Sequence, residues 1–189
     1  KLQEILKKIL QSGQLMNGTI EDFLSVSRID QGRMVYDMST FDIKKLTAEV
    51  YSELKPSAER KSLSLVFDAP QDEFMIEADY GKLKHVISNL VDNAIKYTQE
   101  GWVKVVVTKS GQSVQVKVSD SGVGIPSDEI GRLFDKFVRA RGASGVNVSG
   151  TGLGLYVAKQ MIEAQKGKVW AESEGEGKGS TFIAEMPLV

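Results

Sequence analysis

Asn89, Asn93 and Lys96 follow one another at steps of four and three residues in the stretch His85–Thr98. At about 100° per residue they form, with His85, a narrow stripe on a helix, while Leu83, Val86, Ile87, Leu90, Val91, Ala94 and Ile95 gather on the broad opposite side. The apolar side must face a core. The stripe then offers two carboxamide oxygens one turn apart and an ammonium next along the same line, a set suited to a metal–phosphate group. Asparagine competes with the helical backbone for hydrogen bonds, so two of them at i and i+4 need a reason. Solvation of an exposed face is one reason and metal–phosphate binding is the other; this stretch alone leaves both open.

Two glycine-bearing turns offer chemistry for the remainder of such a ligand. Asp120-Ser121-Gly122-Val123-Gly124-Ile125-Pro126 follows a run of alternating valines, so a strand delivers an acid into a turn. A carboxylate accepts a hydrogen from an amino group and repels a carbonyl oxygen, and adenine carries an amino group where guanine has a carbonyl. Such a turn also arises for purely conformational reasons. The second turn, Gly150-Thr151-Gly152-Leu153-Gly154-Leu155, runs into the helical pattern of Val157, Ala158, Met161 and Ile162, and a glycine turn at a helix start presents free amides to phosphate. Its spacing is neither the dinucleotide fingerprint nor a P-loop, and Gly177-Lys178-Gly179-Ser180-Thr181 has glycine after the lysine. Between the turns lie an apolar cluster of Leu133, Phe134 and Phe137, then Arg139 and Arg141, then the small polar run Gly142–Ser149, expected to be a mobile lid.

These groups need elements to hold them. Leu2, Leu6, Ile9, Met16, Ile20 and Phe23 follow alternating steps of four and three, with Gly13 at the one missed position, which predicts a coiled-coil-like helix seeking a partner helix. Gly32 interrupts the pattern, and a domain boundary is expected within residues 31–40. Asp42 reads as the N-cap of a helix carrying Ile43, Leu46, Val50 and Leu54, and Asp79 as the cap of the asparagine helix. Leu63, Leu65 and Phe67 alternate as a strand, and Phe74–Ile76 reads as another. Val103, Val105 and Val107, the turn Ser110-Gly111-Gln112, then Val114, Val116 and Val118 form a hairpin. The tail reads as two strands, Val169–Glu172 and Thr181–Met186, around a glycine-rich turn.

Composition narrows the classes. The 189 residues suffice for one well-buried domain with a small appendage. With 24 basic and 25 acidic residues no net field draws nucleic acid or an anionic membrane, and neither is expected as a partner. The lack of cysteine rules out a disulfide framework and a thiolate metal site, and a single histidine rules out a multi-histidine metal centre. No apolar run reaches the ~20 residues of a membrane span and no signal peptide is visible, so a soluble cytoplasmic piece is expected. Lys1 already lies in a helical pattern, which suggests a piece of a longer protein and leaves a membrane anchor in that parent open.

In order along the chain, the asparagine helix His85–Thr98, the turn Asp120–Pro126, the segment Leu133–Phe137, the turn Gly150–Leu155 and Gly177–Phe182 resemble the catalytic and ATP-binding domain of two-component sensor histidine kinases, within the ATPase superfamily that includes gyrase-type enzymes. The resemblance covers roughly residues 41–189. It implies an α+β fold, an α/β sandwich with a mixed β-sheet layered on helices, preceded by a long N-terminal helix. Residues 1–35 would be the second helix of a dimerisation and phosphotransfer hairpin whose first helix, with the acceptor histidine, is missing; residues 36–189 would be the catalytic domain. His85 lacks the acceptor context.

The same resemblance implies ATP and Mg2+ as ligands. Asn93 would hold magnesium through its carboxamide oxygen, with Asn89 binding directly or through water, and Lys96 and Tyr97 would meet the phosphates. Asp120 would read the adenine amino group. Gly122, Gly124, Gly152 and Gly154 would admit the nucleotide, Arg139 would sit near the γ-phosphate, and Ile125, Gly150, Thr151, Leu153 and Leu155 would complete its surroundings. The implied activity is that of a protein histidine kinase, with this piece alone binding ATP without phosphorylating itself. A response regulator is the implied partner, and a homodimer the implied state of the full-length protein. Two other readings stay open: a gyrase- or chaperone-like ATPase with water as acceptor, for which Asp92 lies about 60° from Asn89 on the helical wheel, and a non-catalytic nucleotide-sensing scaffold.

Overall fold

The computed structural model describes residues 2–138 and 151–189; within the first helix, side chains are described at 13, 16 and from 18 onward. In chain order the elements are α1 (Leu2–Asp30), β1 (Met38–Asp42), α2 (Ile43–Arg60), β2 (Ser64–Asp68), β3 (Met75–Asp79), α3 (Tyr80–Tyr97), β4 (Trp102–Ser110), β5 (Ser113–Asp120), α4 (Gly154–Glu163), β6 (Lys168–Glu172) and β7 (Ser180–Pro187), with one 3-10 turn at Ile130–Arg132. Five strands form a mixed sheet in the order β2-β4-β5-β7-β6, parallel between β2 and β4 and antiparallel elsewhere. This is the expected α+β architecture. Val103, Val105, Val107, Val114, Val116 and Val118 all point inward and are buried, while Lys104, Gln115 and Lys117 between them stay half-exposed. A period of two on a sheet covered on one side requires that alternation.

The helices close the other layer. Ile43, Leu46 and Val50 of α2, Leu83, Val86, Ile87, Leu90 and Val91 of α3, and Val157, Ala158 and Ile162 of α4 are fully buried, which matches the stripes read from sequence. Both expected caps are present. Asp42 Oδ1 accepts the Lys44 amide at 3.0 Å and the Phe74 amide at 3.1 Å. Asp79 accepts the Lys82 amide at 2.9 Å on one oxygen, and the Asp37 amide at 2.9 Å and Lys82 Nζ at 2.7 Å on the other.

Sequence reading missed β1. Met38–Asp42 pairs antiparallel with β3, from Met38↔Asp79 to Asp42↔Met75, so the two cap residues stand at opposite ends of one ladder. Three of the five β1 residues are exposed, which removes the alternation that would have betrayed the strand. The phenylalanine segment also departs from expectation. Leu133 is buried and Phe134 meets Phe182 edge-on at 6.5 Å, but Phe137 takes a positive φ of 63° and is 68% exposed, outside the cluster.

The described part of α1 has two faces of different character. Near its C-terminus Val26 is buried and Ile29 packs against the core. Asp22 reaches His85 at 3.5 Å, and Asp30 accepts Lys136 Nζ at 2.7 Å. On the other face, Met16, Ile20 and Phe23 of the expected seam are exposed; the side chains of Leu2, Leu6 and Ile9 lie outside the described residues. Among the described residues no helix is long and apolar enough to cross a membrane.

Candidate functional site

α3 carries the stripe on its half-buried side. Asn93 Nδ2 donates to Asn89 Oδ1 at 3.0 Å, so the Asn93 carboxamide oxygen is not used in the contact between the two asparagines. Asn89 lies against Gly154, the first residue of α4, and a Cβ at that glycine would collide with the carboxamide. The asparagine helix and the second glycine turn are thereby in contact. Within that turn Leu153 is buried, Thr151, Gly152 and Leu155 are half-buried, and Thr151 Oγ1 accepts the Leu153 amide at 3.3 Å. The Gly152 carbonyl accepts the Phe137 amide at 3.0 Å, fastening the phenylalanine segment to the turn. Arg139, Arg141, Gly150 and the expected lid Gly142–Ser149 lie outside the described residues.

At the other end, β5 delivers Asp120, which is only 5% exposed. Its Oδ1 accepts the Gly122 amide at 2.8 Å and its Oδ2 the Ser180 hydroxyl at 2.6 Å. Burial pushes the Asp120 carboxyl above the usual carboxylate range, and the bonds from Ser180 and Gly122 oppose that rise without cancelling it. Gly124 sits at a φ of 69°, and a Cβ there would strike the Gly175 carbonyl, so no other residue fits the turn. Ile125 is buried with its amide on Ser173 Oγ at 3.0 Å. The Val123 amide donates to the Tyr97 carbonyl at 3.3 Å, which couples this turn to the end of α3.

Lys96 and Tyr97 are half-buried in the last turn of α3. The Lys96 ammonium rests on Asp92 of its own helix at 2.6 Å, so the carboxylate considered for activating water is held in an ion pair. His85 Nε2 is buried without a hydrogen-bond partner and faces Asp22 of α1. Among the described residues no group of three or more acidic, cysteine or histidine side chains is placed to hold a metal ion, and the carboxamide oxygens of the asparagine stripe are the hard oxygen donors that suit magnesium. Sequence reading did not find Ser180 as the partner of Asp120, because the pairing is a matter of β5–β7 register, Asp120↔Ser180, across 60 residues. It also passed over Thr98, a fully buried hydroxyl that donates to the Ala94 carbonyl at 2.7 Å.

A buried acid, a carboxamide ridge and two glycine turns are thus joined on one sandwich. The chain belongs to the family of histidine kinase-, DNA gyrase B- and HSP90-like ATPases, whose model matches residues 78–189. Within that family its relatives are sensor histidine kinases. It is 34% identical over 178 residues to the sensor histidine kinase RcsC of Escherichia coli K12, a match covering 94% of this chain but only 19% of RcsC. Among solved structures, full-length ShkA in complex with AMPPNP is similar with a TM-score of 0.82 and 26% identity, covering 99% of this chain and 39% of ShkA, so the likeness includes α1. The catalytic domain of the histidine kinase ThkA is similar with a TM-score of 0.70 and 29% identity, covering 80% of this chain and 98% of that domain. ThkA in complex with the response regulator protein TrrA is similar with a TM-score of 0.72 and 26% identity, over 92% of this chain and 49% of ThkA.

Proposed function

We propose that this chain binds Mg-ATP between α3 and the two glycine turns, and passes the γ-phosphoryl to a histidine on a helix outside this sequence. One observation carries the reading. The buried Asp120 is coupled, through the Val123–Tyr97 backbone bond, to the helix that presents Asn93. A base-selecting acid and a metal-holding carboxamide thus share one frame, as a nucleotide with its adenine at one end and its phosphates at the other requires. The AMPPNP bound in ShkA supports this. Asp120 accepts the adenine amino group; Asn93, with Asn89 behind it, holds magnesium. Lys96 exchanges Asp92 for phosphate, Tyr97 follows it, and the amides around Thr151, Gly152 and Gly154 face phosphate oxygens. Arg139 is assigned near the γ-phosphate by resemblance alone.

When bound, magnesium supplies neutralisation of phosphate charge. In the transfer an imidazole nitrogen attacks the γ-phosphorus, the bond to the bridging oxygen breaks, and ADP leaves with the electron pair. His85 lacks the sequence context of an acceptor, and its Nε2 is buried beside Asp22. The chain alone therefore binds nucleotide without phosphorylating itself. A response regulator as downstream partner is supported by the ThkA–TrrA complex. Calorimetric titration with ATP and GTP, with and without magnesium, tests the reading on the wild type and on Asp120→Ala. ATP is expected to bind at least tenfold tighter than GTP and to lose that advantage in the variant; equal affinities for the two purines would remove Asp120 from adenine recognition. Labelled ATP should mark a histidine only when the upstream helix is supplied, and label on His85 would overturn the assignment of the acceptor.

A further inference from the structure

We infer that Lys61 is a positioning residue for the nucleotide site, its ammonium fastening the C-terminal end of α3 where Lys96, Tyr97 and the Asp120 turn meet. This rests on the nucleotide reading above. An α-helix leaves its last four carbonyls without intrahelical partners, and a glycine just beyond the end commonly resolves them. α3 has no such glycine: it ends on Thr98 in extended backbone, φ −99° and ψ 120°. Its carbonyls are satisfied otherwise. Ala94 O accepts the Thr98 amide at 3.1 Å and the Thr98 hydroxyl at 2.7 Å. Ile95 O and Lys96 O accept Lys61 Nζ at 2.7 and 3.0 Å, and Tyr97 O accepts the Val123 amide. The third ammonium hydrogen goes to Thr98 O at 2.8 Å.

All three donors of an ammonium are thus spent on one helix end, where a positive charge also suits the helix dipole. Lys61 is itself anchored, as the C-cap of α2 with its amide on the Ala58 and Glu59 carbonyls. It touches no atom of the proposed ligand. Its effect runs through Tyr97: the last turn of α3 carries the phosphate-side groups and also holds the first glycine turn by the Tyr97 carbonyl. Freed from Lys61, that turn lets the base-side and phosphate-side halves of the pocket drift apart, and small misplacements of binding groups are costly.

The test compares this chain with Lys61→Met, which keeps the aliphatic stem and removes the charge and the donors, and with Lys61→Arg. Titration with Mg-ATP well below the thermal transition should show Lys61→Met about tenfold weaker, which is about 1.4 kcal/mol, and Lys61→Arg restored most of the way. Amide hydrogen exchange should quicken at Thr98 and Val123 in Lys61→Met and stay unchanged at Leu90 and Val91. Lys61→Gln gives the same pattern at smaller amplitude and carries the test if Lys61→Met does not fold. Full Mg-ATP affinity in the variant, or exchange that quickens evenly through the domain as for a merely structural lysine, overturns the inference. If the wild type binds no nucleotide, the proposed function fails, and the exchange pattern alone decides: quickening confined to Thr98 and Val123 keeps the tether, and any other pattern removes it.

Discussion

Asp120 is under opposed demands, because burial favours its protonated form whereas the hydrogen bonds from Ser180 and Gly122 favour the ionised one. Its folded-state pKa is raised above the ordinary aspartate value of about 3.9, first by burial. Between the unfolded and the raised folded value the folded protein holds the proton more firmly, so stability falls as pH rises through that window and the cost is fully present above it. Asp120→Asn, which keeps an acceptor for the Gly122 amide, should abolish that fall in urea unfolding followed from acidic to neutral pH. It should also weaken ATP about 10- to 100-fold, the range of a lost charge-assisted hydrogen bond. Asp79 has the opposite sign. Burial pushes its carboxyl up, but the Lys82 side chain and the Lys82 and Asp37 amides outweigh burial and hold it below the usual range. Its contribution is therefore present above the unfolded pKa and lost as pH falls through the depressed folded one. Asp79→Ala should cost about 1–2 kcal/mol at neutral pH in the same unfolding measurement, as loss of a helix cap does. Matching losses at neutral pH in Asp79→Ala and Asp120→Asn would contradict burial as the cause at Asp120.

Helices and hairpin were readable because their signals are local. The stripes of α2, α3 and α4 and the alternating valines of β4 and β5 each repeat within one stretch, and Asp42 and Asp79 stand directly before the helices they cap. What the sequence hid is non-local. Neither the parallel pairing of β2 with β4, nor the register that sets Ser180 against Asp120, nor the reach of Lys61 from α2 to the end of α3 leaves a pattern at either partner. The contact of Asn89 with Gly154 is of the same kind, and it bears on the proposed site because it joins α3 to α4. Gly154→Ala should lower ATP affinity at least tenfold while the fold persists, since the new methyl displaces the Asn89 carboxamide. Combined with Asn89→Ala it should cost no more than Asn89→Ala alone, because the two changes act through one contact. Additive losses in titration of the double variant would mean that the glycine serves another purpose.

Taken as a whole, the molecule has a finished body and an unfinished helix. Val26 of α1 is 9% exposed against the body, yet Met16 at 62%, Ile20 at 49% and Phe23 at 62% stand in solvent at the steps of four and three that suit a helical partner. The contacts that dock the opposite face, Lys136 on Asp30 and His85 beside Asp22, are partly solvated. They orient α1 without covering its seam. Apolar side chains in such a line gain about 1.5–3 kcal/mol each on full burial, so a second helix laid along the seam is the favourable outcome at sufficient concentration. Sedimentation over a concentration series should find association of this chain, and Phe23→Glu should return it to monomer with the melting of the body unchanged, because Phe23 contributes nothing to the core beneath. A chain that stays monomeric at every concentration with its seam intact would mean that α1 is complete as it stands, and the helical partner would then have no role.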